Sequence, residues 1–201
     1  FDDWVGDKEA SEFENGEKHR ICSSCGEVEK EIVKITSEVK PVGGVYEINT
    51  AGEFVWLFKQ ISLGTIAKDC KIKLMADIDV KGALSTLNVE FTGTLDGNHK
   101  TISGITMTLF NQFNGTVKDL TLRGDIDYTA ASFGFDVARK AASFAHNTNN
   151  ATLIGLVSFI NVKTSRNDLN AGGIVGYAVG STTFTDCAYN GTYTANWKGD
   201  G

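Results

Sequence analysis

No stretch of this 201-residue chain approaches the eighteen consecutive apolar residues of a membrane-spanning helix, and the opening FDDWVGDKE has none of a signal peptide's basic and apolar regions. Basic charge is scarce as well. Lys and Arg number 19 against 25 Asp and Glu, giving −6, the wrong sign for a protein that tracks nucleic-acid phosphates. The four cysteines form no dense framework, which argues against a disulfide scaffold and suits an anaerobic or reducing habitat. Proline occurs once, at Pro41, against 22 glycines, 20 threonines and 14 asparagines. Thr favours strands, and Gly and Asn make the tight turns between them. The remainder is globular in profile, 41% hydrophobic and 22% charged, enough for one domain of ordinary size plus a small appendage.

Charge places the boundary. Residues 1–40 hold 11 acids and 6 bases, residues 41–201 hold 14 and 13. The step falls at Pro41, with Gly43 and Gly44 just after it, so the expectation is a small module over 1–40 and a larger domain over 41–201. Within the first lies His19-x-x-Cys22-x-x-Cys25-Gly26. A C-x-x-C knuckle sets two thiolates on one cation, and the glycine permits the tight turn. Cys22, Cys25 and His19 are therefore candidate zinc ligands, one short of a tetrahedral set; the alternative is a reduced or self-bridged pair. No βαβ pattern surrounds the motif, which weakens a thioredoxin-like role.

Beyond the boundary the hydrophobic period changes twice. Val45, Tyr46 and Ile48 read as a short strand. Thr50-x-x-Glu53 is a capping box, and Phe54, Leu57, Phe58 and Ile61 make one apolar stripe, predicting a short helix that ends at Gly64 and caps an open core. From residue 68 the chain reads as short strands: 70–80, 91–97, 100–107, 115–126, 151–164, 171–178 and 182–194. In the first, Ile72, Leu74, Ala76, Ile78 and Val80 alternate with polar residues. Leu74, Leu95 and Val117 recur about every 21–22 residues, a period that signals a solenoid of roughly six coils.

Two resemblances extend this reading. Trp4, Lys8, Glu9, Gly16, Lys18, Arg20, Cys22, Cys25, Gly26, Glu29 and Ile32 match a small module repeated in large surface proteins of Firmicutes, whose further His and Cys are missing here. YEINTAGEF, KLMADIDV, FTGTLDGNHKTISGIT, GTVKDLTLRGDI and AGGIVGYA together resemble the GLUG-type right-handed parallel β-helices of bacterial cell-surface proteins. The resemblance covers 45–126 and 171–201 and implies a mainly β fold, a cell-surface or secreted location, and a fragment of a longer protein. A middle partner for AGGIVGYA is not evident; residues 132–147 read instead as an Ala-rich helix or loop inserted between coils.

Candidate chemistry is sparse. Calcium-assisted polysaccharide lysis would need Asp77, Asp79, Asp96, Lys100 and Arg123 to converge in a groove, whereas the plain reading makes the acids solvent-face and turn residues. His19, His99 and His146 fall in separate regions. Cys70 and Cys187 sit among strand residues as inert thiols. Thr-x-Thr pairs at 92–94, 106–108, 183–185 and 192–194 suggest an ice-binding ladder, but an interrupted one. Aromatic and basic residues suggest a contact surface for a partner: Tyr128, Phe133, Phe135 and Arg139 in and beside the insertion, and Tyr189, Tyr193 and Trp197 near the end. The favoured expectation is a non-catalytic adhesin module that binds a host protein or glycan. Relatives of the resemblance include superantigen-like binders of antibodies, which makes an immunoglobulin variable domain a candidate partner. A lyase or hydrolase and a structural stalk are the alternatives.

Overall fold

The chain divides into two units, Phe1–Glu38 and Val39–Gly201. In the computed structural model residues 1–8, 16–33, 37–130, 141–164 and 171–195 are described. The first unit is an antiparallel sheet of β1 (Val5–Lys8), β2 (Gly16–Ile21) and β3 (Val28–Val33), in that order. Paired residues share a face. Lys18 and Arg20 therefore lie opposite Glu31 and Glu29, with ion pairs of 3.1 and 2.6 Å. The Arg20 guanidinium also lies 4.7 Å from the Trp4 ring and 4.9 Å from that of Phe1. The opposite face carries Val5, Ile21, Val28 and Ile32, all exposed.

The second unit begins with β4 (Val45–Ile48) and α1 (Ala51–Ser62). Thr50 caps the helix as predicted: its hydroxyl accepts from the Glu53 N–H at 3.2 Å, and the Glu53 carboxylate accepts from the Thr50 N–H at 3.1 Å. Phe54, Leu57, Phe58 and Ile61 are buried. Gly64, at φ +73°, follows the last turn in a left-handed conformation that suits glycine.

The rest is strand, in two parallel sheets. The larger contains β5 (Lys71–Leu74), β6 (Ile78–Asp79), β8 (Thr94–Ile105), β10 (Thr116–Tyr128), β12 (Thr152–Thr164), β14 (Thr183–Thr185), β15 (Ala188–Tyr189) and β16 (Tyr193–Ala195). Its order is β4-β5-β8-β10-β12-β14, with β6 on β8, and β15 and β16 on β12. The smaller runs β7 (Leu87–Phe91), β9 (Phe110–Phe113), β11 (Ala145–Asn149), β13 (Val175–Val179). Along the chain, strands of the two sheets alternate from β7 to β14, so each later pass lays one strand on each sheet.

Side chains stack in rows across the larger sheet. Ile72, Leu95, Val117 and Leu153 pair in register and are buried. The partner of Leu95 is thus Ile72, two residues before the expected Leu74, which pairs with Ile48 instead. Rings of Phe54, Phe58, Phe91, Phe110, Phe113 and Phe144 fill the space under the helix and the smaller sheet, with neighbouring centroids 4.4–5.7 Å apart.

The Ala-rich insertion requires correction over its described part. Residues 145–147 belong to β11, not to a helix, and 141–144 lead into it. Ser143 N–H donates to Gly173 C=O at 3.1 Å, Phe144 N–H to Ile174 C=O at 2.9 Å, and Ala145 pairs with Val175. The missing partner of AGGIVGYA is therefore AASFAHN, inside the segment read as an insertion. Its alanines are small because the site is crowded: Ala141, Ala142 and Ala145 are completely buried. Residues 132–140 lie outside the described residues.

Candidate functional site

The buried rows end on aromatic side chains. Leu153 is followed in register by Phe184, Val162 by Tyr193, and Ser158 by Tyr189. No further strand is described on the far side of β14, β15 and β16, and Phe184 is 47% exposed although its row partners are fully covered. Tyr189 and Tyr193 are half-buried. The Tyr189 hydroxyl donates to the Thr192 carbonyl at 2.9 Å, and its ring lies against Gly173, where any Cβ would overlap it. Burial, with Tyr189 nearby, pushes the Tyr193 hydroxyl up to about 12. On outward positions of the last layers, Tyr177 on β13 and Ile154 on β12 are exposed as well. Phe184, Tyr177 and Ile154 were missed from sequence; the available signal was that Phe184 has the parity of Leu153 once the strands are aligned.

The other expected contact residues do not join this group. Tyr128 is completely buried, accepting from the Thr108 N–H at 2.8 Å and donating to the Thr108 hydroxyl at 3.0 Å. It closes β10 from inside, because the ring continues the inward alternation of Leu122 and Ile126. Tyr128, expected as a contact residue, therefore presents no surface to a partner. Phe133, Phe135, Arg139 and Trp197 lie outside the described residues.

The cysteine knuckle is a hairpin turn. Cys22 N–H donates to Glu27 C=O at 2.8 Å and Gly26 N–H to Cys22 C=O at 2.7 Å, with Gly26 at φ +74°. All four cysteines are free thiols. The Cys22 thiol is lowered to about 6, chiefly by hydrogen bonding to Cys25 and next to the Ser24 hydroxyl, 3.3 Å away. His19 Nδ1 lies 2.6 Å from an Asp7 carboxylate oxygen, which orients the ring and leaves Nε2 as its other nitrogen. Among the described residues no three His, Cys, Asp or Glu side chains gather in a group that could hold a metal ion. Cys70, half-buried beside Asp69, is raised to about 11, burial being the larger cause.

The acids weighed for lysis are occupied locally. Asp77 accepts from the Thr101 N–H at 2.7 Å, Asp79 from the Lys81 N–H at 3.0 Å and Asp96 from the Asn98 N–H at 2.9 Å. Asp96 also pairs with Lys118 at 2.8 Å, which raises the Lys118 ammonium. Arg123 stacks on Phe159 at 4.4 Å. Asp79 and Asp96 thus close local turns while Asp77 ties its segment to β8, and carboxylates so engaged serve strand order. Thr94, Thr116, Thr152 and Thr183 do stand in one row, but the adjacent row two residues on reads Asp96, Lys118, Ile154 and Thr185, so no second threonine rank accompanies it.

Compared with known proteins, the chain matches no family model, no curated protein and no solved structure.

Proposed function

We propose that the second unit winds as a GLUG-type right-handed parallel β-helix and serves as a non-catalytic binding module of a bacterial cell-surface adhesin. The observation that carries this reading is the aromatic end layer. Phe184 continues a buried row into solvent, and Tyr177 and Ile154 add exposed apolar surface on the last layers. Aromatic side chains held rigidly by a sheet give a partner large contact area at small entropic cost. A host protein is the partner favoured here, with an immunoglobulin variable domain as the candidate that the family resemblance supplies; a host glycan is the other outcome. A lyase site would draw on carboxylates free to take a metal or a proton, and the turn-closing hydrogen bonds of Asp79 and Asp96 and the Asp77 bond to the Thr101 N–H on β8 favour the binding reading over it.

The test is retention of serum proteins and secretory antibody by the immobilised chain, alongside a glycan array. Antibody is expected to be retained by the wild type, and Phe184→Ala with Tyr177→Ala to weaken retention about tenfold or more, as loss of a hot-spot aromatic does. Undiminished retention by the double variant would remove the end layer from the interface. Cleavage of an acidic polysaccharide by the purified chain would replace this proposal with the enzymatic one.

A further inference from the structure

We propose that Cys22 and Cys25 form a reversible dithiol–disulfide couple at the β2–β3 turn, one that exchanges with low-molecular-weight disulfides and thiols. Three observations converge on it. Both sulfurs sit on one turn whose ends are fixed by the Cys22–Glu27 and Gly26–Cys22 backbone hydrogen bonds. The Ser24 hydroxyl, between them in sequence, lies 3.3 Å from the Cys22 sulfur. Cys25 is exposed and Cys22 partly so, leaving room for an incoming disulfide.

The alternative use of such a pair is as half of a metal knuckle. Among the described residues no third His, Cys, Asp or Glu joins the two thiols in a group that could hold a metal ion. Two thiols without a third and fourth ligand suit exchange better than tetrahedral zinc.

The Ser24 hydroxyl beside the Cys22 sulfur makes it the attacking sulfur and Cys25 the resolving one. The Cys22 thiolate attacks one sulfur of a small disulfide such as oxidised glutathione. The sulfur–sulfur bond of the reagent breaks, one thiolate leaves and takes a proton from water, and Cys22 is held in a mixed disulfide. Cys25 then gives its proton to solvent and attacks the Cys22 sulfur, displacing the second thiolate. Two protein thiols are oxidised to one disulfide while the reagent is reduced to two thiols. Excess reduced glutathione runs the same steps backwards.

The intact chain is equilibrated in glutathione buffers of graded oxidised-to-reduced ratio, alkylated, digested and mapped by mass spectrometry. A Cys22–Cys25 disulfide is expected to rise with the ratio and disappear on return to reduced glutathione, while Cys70 and Cys187 remain alkylatable. Cys25→Ser should accumulate the Cys22–glutathione adduct about tenfold or more above wild type, because its resolving thiol is gone, and Cys22→Ser should slow adduct formation at Cys25 by a similar factor. Both substitutions fall on a solvent-facing turn, and circular dichroism checks that the fold is kept. Equal modification of the two single variants, or a wild-type adduct that never resolves, would overturn the proposal. So would one equivalent of zinc retained through dialysis that shields both thiols from oxidised glutathione.

Discussion

Tyr128 illustrates how a polar tip survives in an apolar interior. Its hydroxyl accepts from the Thr108 N–H and donates to the Thr108 Oγ1, which itself donates to the Ala142 carbonyl at 2.6 Å. Tyr128→Phe keeps the ring and strands the Thr108 N–H without its acceptor. A buried donor left unpaired costs about 2 kcal/mol, so urea unfolding should show that loss with an unchanged denaturant slope. Cys70 makes a pH-dependent case. Its folded thiol is raised to about 11 from an ordinary value near 9, so the native state holds its proton longer than the unfolded chain does. That contribution is fully present below about pH 9 and is lost as pH rises towards about 11. Stability measured across this window should fall more steeply in the wild type than in Cys70→Ala; parallel profiles would show that Cys70 carries none of the slope.

The helix and the strands differ in how plainly they are written. Thr50 and Glu53 state the start of α1 chemically, and Phe54, Leu57, Phe58 and Ile61 state its buried face. Thr50→Ala removes the acceptor of the Glu53 N–H and should destabilise the unit by about 1 kcal/mol, read from the melting curve. The long strands β10 and β12 were also legible, because Leu120, Leu122 and Ile126 bury alternate positions, whereas the expected strand 70–80 divides into β5 and β6 and the expected 91–97 and 100–107 run together in β8. In the smaller sheet β13 overlaps the expected strand 171–178, but β7, β9 and β11 were not legible. LNVEF and FNQF span only a few residues between turns, and AHNTN follows alanines whose helix propensity is real but whose burial decides the outcome. The repeat was blurred for a related reason: Leu95 and Val117 are 22 residues apart, but Val117 and its partner Leu153 are 36 apart. Of the aromatic end layer, Tyr189 and Tyr193 were legible as aromatics near the end of the chain, whereas Phe184 shows its exposure only when the strands are aligned. Where layers begin, backbone meets backbone: a Cβ on Gly115 would overlap the Gly93 carbonyl, and one on Gly93 the Cys70 carbonyl. Gly115→Ala should therefore cost about 3 kcal/mol, the upper range for overpacking, in the same unfolding assay.

At the scale of the whole molecule, stability should be graded rather than uniform. β8, β10 and β12 are each bonded to strands on both sides, and their inward side chains are covered by the next layer. β14, β15 and β16 have one described neighbour, β12, and end on exposed or half-buried aromatics. The first unit has three short antiparallel strands with Val5, Ile21, Val28 and Ile32 in solvent, and sheets of that size are marginal without a covered apolar face. Amides that open locally exchange far faster than those released only by global unfolding. Hydrogen exchange on the intact chain should accordingly rank β10 slowest, β14–β16 faster, and β1–β3 fastest, with protection in β10 at least about a hundredfold above that in β2. The gradient has a functional corollary: if the end layer is the contact surface, a bound partner covers the apolar row ends and should slow exchange in β14–β16 while leaving β1–β3 unchanged. Uniform protection across the layers would mean that the row ends are covered already, and the end-layer interface would lose its physical basis.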